Sequence, residues 1–479
     1  MKFSDLKLST PYLNLKPAFY DRVDPTPLHK PFLISTSYSA AELLGVDEDM
    51  ALDSKLLDIV NGERKLEGSE TFSMCYAGHQ FGEFSGRLGD GRVINLGKVN
   101  GQNLQLKGSG LTLYSRLGDG RAVLRSSIRE YLMSEAMYGL GIETSRALAL
   151  IGSHTEVARQ GWEKGAIVLR LSPTWVRFGS FEYFNATGEY EKLQELADYV
   201  IDESFPYLRG NDDIYLKMYT EIVKNTANTI AKWQSVGFNH GVMNTDNMCI
   251  DGRTIDYGPF AFLDSYDPNF VCNETDKQGL YSFSSQVSSA HWNLDMLART
   301  LSPLIDYDLS EEVLNDLFRS TYERVYLETI YEKMGLFRQE EKDKELAEDM
   351  FRALASSGID YTKFFRTLSR FNTDKSEILA LCVKKETLEI WLDRYDERMQ
   401  REVFTISERH KRMLAVNPKY VLKNHILQEA IDKADKHDYS MVDELLRVAL
   451  SPFDEHLELE HLCKPTPLES KNLKLSCSS

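Results

Sequence analysis

Two hydrophobic rhythms divide this chain. Up to about residue 179 the apolar positions fall in short β-like runs. RVINLGKV (92–99) and NLQLKGS (103–109) are joined at Asn100-Gly101, a strong local hairpin signal. TEVARQ (155–160) and AIVLRLS (166–172) read as two further strands. Between the pairs, Leu124, Ile128, Tyr131 and Leu132 recur at helical spacing over Val123 to Tyr138, with Gly139 and Gly141 as the stop. From about residue 180 the rhythm becomes helical throughout. Tyr219, Ile222, Val223, Thr226, Ile230 and Trp233 mark one face of a helix ending at Gly237, and Leu314, Leu317, Phe318 and Val325 mark another. The charge run RQEEKDKELAED (338–349) predicts a solvated helix face, and more helix is expected from Asn417 to the KPTPLESKNLKLSCSS tail. Residues 1–60, with prolines at 11, 17, 25, 27 and 31 ahead of SAAELLGV, predict an extended arm and a short helix packed on a lobe.

The pattern predicts an α+β chain of two lobes. Its divisions are an N-terminal arm over 1–60, a β-rich lobe over 61–179, a helical lobe over 180–345, and a further helical region with the tail over 346–479. The 479 residues exceed the size at which one core stops growing, which agrees with more than one lobe. Composition narrows the function. With 56 basic against 73 acidic residues the net charge is −17, which argues against general binding to nucleic acid or an anionic membrane while leaving room for a local phosphate pocket. No apolar run reaches the ~18–20 residues of a membrane-spanning helix. The N-terminus has neither a secretory nor a transit character, so a cytoplasmic location is expected. Six scattered cysteines without C-x-x-C argue against a zinc site or a disulfide framework.

Chemistry concentrates in Phe238–Tyr266, FNHGVMNTDNMCIDGRTIDYGPFAFLDSY. Asp246 and Asn247 are adjacent, and Asp256 follows across a tight turn at Asp251-Gly252, so three oxygen-bearing side chains can converge. Hard cations such as Mg²⁺ need only one or two protein oxygen ligands beside substrate phosphates. Kinases use a catalytic-loop Asn with the Asp of Asp-Phe-Gly for this purpose. Here Asp256-Tyr257-Gly258 takes the second place, while Val242 stands where kinases keep the carboxylate that accepts the proton. Asp246, one residue before the Asn, is the nearest substitute.

The first lobe complements this loop. Glycines at 78, 82, 86, 89 and 91 allow backbone to approach an anion, and Leu-Gly-Asp-Gly-Arg occurs twice, at Leu88–Arg92 and Leu117–Arg121. No Walker sequence is present. Arg92, Arg121, Arg170 and Arg177 offer donors suited to phosphate. A strand lysine held by a helix carboxylate is expected, with Lys107 and Glu130 as one choice and Lys98 and Glu135 as rivals. Glycine loop, strands, lysine, helix and more strands is the order of a kinase N-terminal lobe. His79 and His240 read as loop or core histidines.

GHQFGEFSGRLGDGR, QLKGSGLTLYSRLGDGRAVLRSSIREYL, VLRLSPTWVRFGSFE, FNHGVMNTDNM and IDYGPFAFLDSYDPNFVCN resemble the selenoprotein O (YdiU) family of protein adenylyltransferases, over about Tyr76 to Pro303 and at the Ser-Cys-Ser-Ser terminus. The resemblance implies a protein-kinase-like (pseudokinase) fold. It also implies ATP bound in reverse, so that AMP passes to Ser, Thr or Tyr hydroxyls of protein substrates, with Mg²⁺, or alternatively Mn²⁺, as cofactor. On that basis Gly89, Gly91, Arg92, Lys107, Asp119, Gly120, Arg170, Arg177 and Asp256 bind ATP, and the choice falls on Lys107 with Glu130 as its partner. Asp246 accepts the proton, Asn247 and Asp256 hold metal, and Cys272 with Cys477 are candidates for a regulatory disulfide. Loss of Asp256 is expected to abolish transfer with little effect on the fold. Two other readings remain open: a kinase-like phosphotransferase acting on a small molecule or a protein, and a catalytically silent nucleotide-binding scaffold.

Overall fold

In the computed structural model, which describes residues 1–47, 50–471 and 475–476, one antiparallel sheet carries the first third of the chain. In chain order the strands, together with those of a small separate hairpin, are β1 (Tyr20–Arg22), β2 (Phe32–Thr36), β3 (Phe72–Met74), β4 (Gly78–Gln80), β5 (Glu83–Ser85), β6 (Val93–Val99), β7 (Gln102–Lys107), β8 (Ala122–Val123), β9 (Arg146–Ala158) and β10 (Trp162–Ser172). The sheet runs β1-β3-β6-β7-β10-β9-β2, with β8 on β10, while β4 and β5 pair only with each other. At the β6–β7 turn Asn100 and Gly101 both have positive φ, 47° and 77°, as a two-residue hairpin requires.

The N-terminal segment does more than pack on a lobe. It supplies both edges of the sheet, β1 at one side and β2 at the other. Proline is compatible with edge strands, where no ladder hydrogen bond is lost, which is why a proline-rich stretch that reads as an irregular arm can still pair.

The Leu124–Gly139 helix lies across β9 and β10 with its predicted apolar stripe buried. Gly139 is its last residue and not its stop: a Cβ there would lie 1.9 Å from the Ala449 carbonyl, so the glycine lets the Ser440–Leu450 helix approach. Gly141, at φ 74°, makes the turn. The Ile214–Val236 helix buries every residue of the predicted face and ends on Gly237 in the left-handed region, delivering the chain to the loop at 238–258. Overall the architecture is mixed α/β, a sheet-bearing first part followed by helices to residue 450.

A second core gathers Ile330, Met350, Phe364, Trp391, Tyr395 and Met413 from the later helices. The charge run beside it is not wholly solvated. Asp343 is buried and paired with Arg398 at 2.7 Å, because the run crosses from surface to core as the Asp343–Ser357 helix begins. No described helix is long and apolar enough to cross a membrane.

Lys333, near the end of the Tyr307–Met334 helix, is buried in this core with its ammonium 4.4 Å from the Phe365 ring centroid. Among the described residues it has no carboxylate partner. Burial pulls its pKa from 10.5 down to about 7. The unfolded chain therefore holds an extra proton between those values, and stability rises with pH across that window. Lys333→Met is expected to remove this slope and to stabilise the protein near neutrality by on the order of 1–3 kcal/mol. Denaturant melts at neutral and alkaline pH check this, with the gain shrinking as pH approaches the upper value.

Candidate active site

A cavity of about 400 Å³ opens between the sheet, the Leu124–Gly139 helix and the loop at 238–258. Gly89, Gly91, Arg92, Lys107, Asp119, Gly120, Glu130, Arg170, Arg177, Asn247 and Asp256 all line it. Both Leu-Gly-Asp-Gly-Arg turns contribute. Gly89 has φ 70°, and a Cβ on it would lie 2.2 Å from the Tyr114 ring, so only glycine fits the first turn. Eight basic and four acidic side chains line the cavity, a local reversal of sign in a chain of net charge −17. Such a concavity draws in anions.

The floor is an ion cluster. Lys107 ends β7, and Arg170 lies on β10 opposite Gln105, two residues earlier on β7. With side chains alternating along a strand, Lys107, Gln105 and Arg170 share one face. Glu130, from the helix covering that face, accepts from Lys107 at 2.6 Å and Arg170 at 2.7 Å. Asp256 accepts from Lys107 at 3.1 Å, Arg170 at 2.6 Å and Arg177 at 2.8 Å. Three buried cations thus share two carboxylates. The guanidinium groups of Arg170 and Arg177 lie 4.6 Å and 4.5 Å from the Trp175 and Tyr76 ring centroids. Burial alone would push the Asp256 carboxyl up, but Lys107, Arg170 and Arg177 outweigh it and hold it well below the usual carboxylate range. Burial lowers Lys107, against the pull of Glu130 and Asp256. Asp256 itself sits at φ 58°, a left-handed conformation that Asp tolerates and that is often found at functional sites.

Asp246 lies apart from this cluster. It does not line the cavity, although its neighbour Asn247 and Val242 do. Its backbone carbonyl accepts from Arg177 at 2.8 Å, and Gln80 of β4 donates to Oδ2 at 3.2 Å. Oδ1 is buried without a partner. Burial pushes this carboxyl up to about 6, with Arg177 and Gln80 opposing. Asn247 donates from Nδ2 to the Val242 carbonyl at 2.9 Å, which turns Oδ1 to other use. The histidines are structural. His240 is buried, stacks on Trp233 and bonds the Ile255 carbonyl, while His79 faces Glu182 at 3.2 Å.

The rival lysine and carboxylate are excluded from the cavity, since Lys98 pairs with Glu203 and Glu135 with Arg146. Arg121 reaches the cavity wall, yet its guanidinium donates to the Thr26, Pro27 and Gly108 carbonyls. Cys272 is buried elsewhere, donating to Asn239 Oδ1 at 2.8 Å, and Cys477 lies outside the described residues. The sequence reading missed Arg159, which grips Asp119 through two contacts of 2.8 Å and 3.0 Å, and Arg129, which donates to the Phe260 carbonyl. Nothing in the spacing of either marks it. It also missed Asp90, in the first glycine turn, and Asn95 and Gln105, whose signal was available: polar residues set between Ile94 and Leu96 and between Leu104 and Leu106 on the paired strands.

The sequence model of a family described as protein adenylyltransferase SelO matches residues 2–449. The chain belongs to the SelO family. Relatives called protein nucleotidyltransferase YdiU agree end to end. That of Myxococcus xanthus (strain DK1622) is 43% identical, covering 99% of each chain. That of Aliivibrio fischeri (strain ATCC 700601 / ES114) is 44% identical over 100% of this chain and 99% of its own. That of Thioalkalivibrio sulfidiphilus (strain HL-EbGR7) is 43% identical over the whole of both. The chain is thus a member of a family of nucleotidyltransferases.

Asp256 carries structure as well as any chemistry, which revises the expectation that its loss spares the fold. Removing it leaves Lys107 and Arg170 to share Glu130 and takes from Arg177 its carboxylate contact, with the Asp246 carbonyl remaining. Asp256→Ala is expected to destabilise the ligand-free protein by about 3–5 kcal/mol, the scale for breaking a buried ion pair. Inorganic triphosphate should restore more stability to the variant than it adds to the parent. Thermal melts with and without triphosphate check both statements.

Proposed function

We propose that this protein transfers AMP from ATP to Ser, Thr or Tyr hydroxyls of other proteins, in a kinase-like bilobal arrangement with ATP reversed in the cleft. The observation that carries this reading is the separation of two features. An anion-attracting cavity has Val242 where a phosphotransferase would keep its carboxylate, and Asp246, just outside the wall and next to the Asn247 that lines it, keeps a buried carboxylate oxygen without a partner. Asp90 Oδ1 is also unpartnered, but it sits at the first glycine turn and not at the Val242–Asn247 loop. The family description, protein adenylyltransferase, supports the same chemistry.

In this mechanism Lys107, Arg170 and Arg177 take up the charge of the diphosphate end, as positioning and electrostatics dominate such transfers. The acceptor oxygen forms a bond to the α-phosphorus while the bond from that phosphorus to the bridging oxygen breaks and diphosphate leaves. The hydroxyl proton passes to Asp246 Oδ1. The donor set suits a hard cation, Mg²⁺ or Mn²⁺, because Asn247 Oδ1 and Asp256 face the same cavity. Bound there, the ion supplies further neutralisation of phosphate charge. Pairing of Cys272 with Cys477 belongs to the same proposal, supported by the bridge between Asn273 and Leu475 that runs the tail beside Cys272.

ATP labelled on the α- or the γ-phosphate separates the readings. Label from α on protein is expected. Label from γ supports a phosphotransferase, and binding without transfer supports a scaffold. Asp246→Asn is expected to cut transfer at least ~100-fold, the lower end of general-base effects. Its nucleotide affinity should stay within about twofold, since Asp246 does not line the cavity.

A further inference from the structure

Behind the ion cluster a row of polar side chains crosses the sheet at right angles to its strands. Phe72 of β3 pairs with Asn95 of β6, Asn95 with Gln105 of β7, and Gln105 with Arg170 of β10. The neighbouring rung, Ile94 with Leu106 and Leu169, is apolar. Asn95, Gln105 and Arg170 are each at most 3% exposed. A buried polar rung costs stability unless every group is satisfied, and here most of its polar atoms are.

The bonds run one way. Arg170 donates from Nη2 to Gln105 Oε1 at 2.6 Å, Gln105 donates from Nε2 to Asn95 Oδ1 at 2.9 Å, and Asn95 donates from Nδ2 to Asp90 Oδ2 at 3.1 Å. The order is forced, because a guanidinium only donates. Gln105 must turn its oxygen to Arg170 and its amide to Asn95, and Asn95 must then do likewise toward Asp90. A cation at one end and a carboxylate at the other align the two amide dipoles between them, the condition for mutual strengthening. Asp90 stands between Gly89 and Gly91, and the Met74 amide also donates to its Oδ2 at 2.9 Å. The relay therefore joins Arg170 on the cavity floor to the first glycine turn on its wall.

We propose that Asp90, Asn95 and Gln105 are positioning residues: their relay locks the first glycine turn to Arg170 and so fixes the phosphate-binding end of the cavity as one unit. This rests on the reading that a nucleotide fills the cavity. None of the three need touch the reacting atoms.

The test is equilibrium binding of a non-hydrolysable ATP analogue, inorganic triphosphate and adenosine to the full chain and to Gln105→Met, Asn95→Leu and the double variant. Each single variant is expected to weaken the analogue and triphosphate about tenfold, because it leaves a buried partner unpaired. The double variant should also lose about tenfold, and not the hundredfold of independent sites. Adenosine, lacking phosphate, should bind all forms alike, which a general loosening of the fold would not allow. The double variant removes the Gln105–Asn95 bond with both its partners, but leaves Arg170 Nη2 unpaired and Asp90 Oδ2 with the Met74 amide alone, so melts are recorded for all three variants. Whichever variant melts as a native protein carries the comparison: tenfold weaker analogue with unchanged adenosine supports the relay, and parental analogue affinity overturns it. Multiplicative losses, or equal losses for adenosine, also overturn it. Failure of the parent to bind the analogue at all removes instead the reading on which the relay rests.

Discussion

Three cations, Lys107, Arg170 and Arg177, are held out of water by two carboxylates, Glu130 and Asp256. Burying ions costs several kcal/mol each unless partners compensate, and here the cations outnumber the carboxylates they touch, with buried Asp90 acting on Arg170 and Arg177 from farther off. Each partner comes from a different element, so the cluster holds only when β7, β10, the Leu124–Gly139 helix and the Asp256 turn are all in place. The left-handed backbone at Asp256 is tolerable for the same reason: the surrounding contacts over-determine it. The predominance of basic side chains in the lining is what draws anions to the cavity. An anionic ligand would relieve the very strain that folding builds in, so stability and binding draw on one interaction.

That arrangement also explains the division between Asp256 and Asp246. A carboxylate placed among the three cations is held ionised far below neutrality and makes a poor proton acceptor. A carboxylate displaced behind the wall keeps its basicity, and burial pushes Asp246 up to about 6. Two groups with opposed environments can therefore serve opposed roles a few positions apart in sequence, which is the usual mark of an acid–base assignment. Gly78 permits the displacement, since a Cβ there would lie 2.7 Å from Asp246 Oδ1.

Much of this was legible in the sequence because local rules dominate where it was legible. The β6–β7 hairpin follows from Asn100-Gly101, and the Ile214–Val236 helix from its apolar face and terminal glycine. The choice of Lys107 over Lys98 rested on resemblance alone, and the structure separates them by strand direction, since Lys98 sits at the far end of the hairpin and meets Glu203. What stayed hidden depends on pairing across long sequence distance. Both sheet edges come from the proline-rich first sixty residues, and no periodicity in a three- or five-residue strand reveals its partner. Arg159 reaches Asp119 only because the β9–β10 hairpin folds back, and Asp343 is buried only because Arg398 arrives from another helix.

The repeated pentapeptide shows most clearly why local sequence cannot settle role. Leu88 is 4% exposed and Leu117 fully exposed, so the first turn is anchored in the core and the second lies at the surface. Asp90 consequently faces inward to Asn95, while Asp119 faces outward to Arg159. In the low-dielectric interior Asp90 sits at the end of a polarised chain, and burial raises its pKa against Arg177 and Arg170. Nearer the surface the Asp119–Arg159 contact is screened by solvent and contributes less. Identical residues thus stand on two walls of the same cavity, one tied into the buried network of the sheet and the other to a surface ion pair, and what each can do is set by the burial of the leucine that leads it.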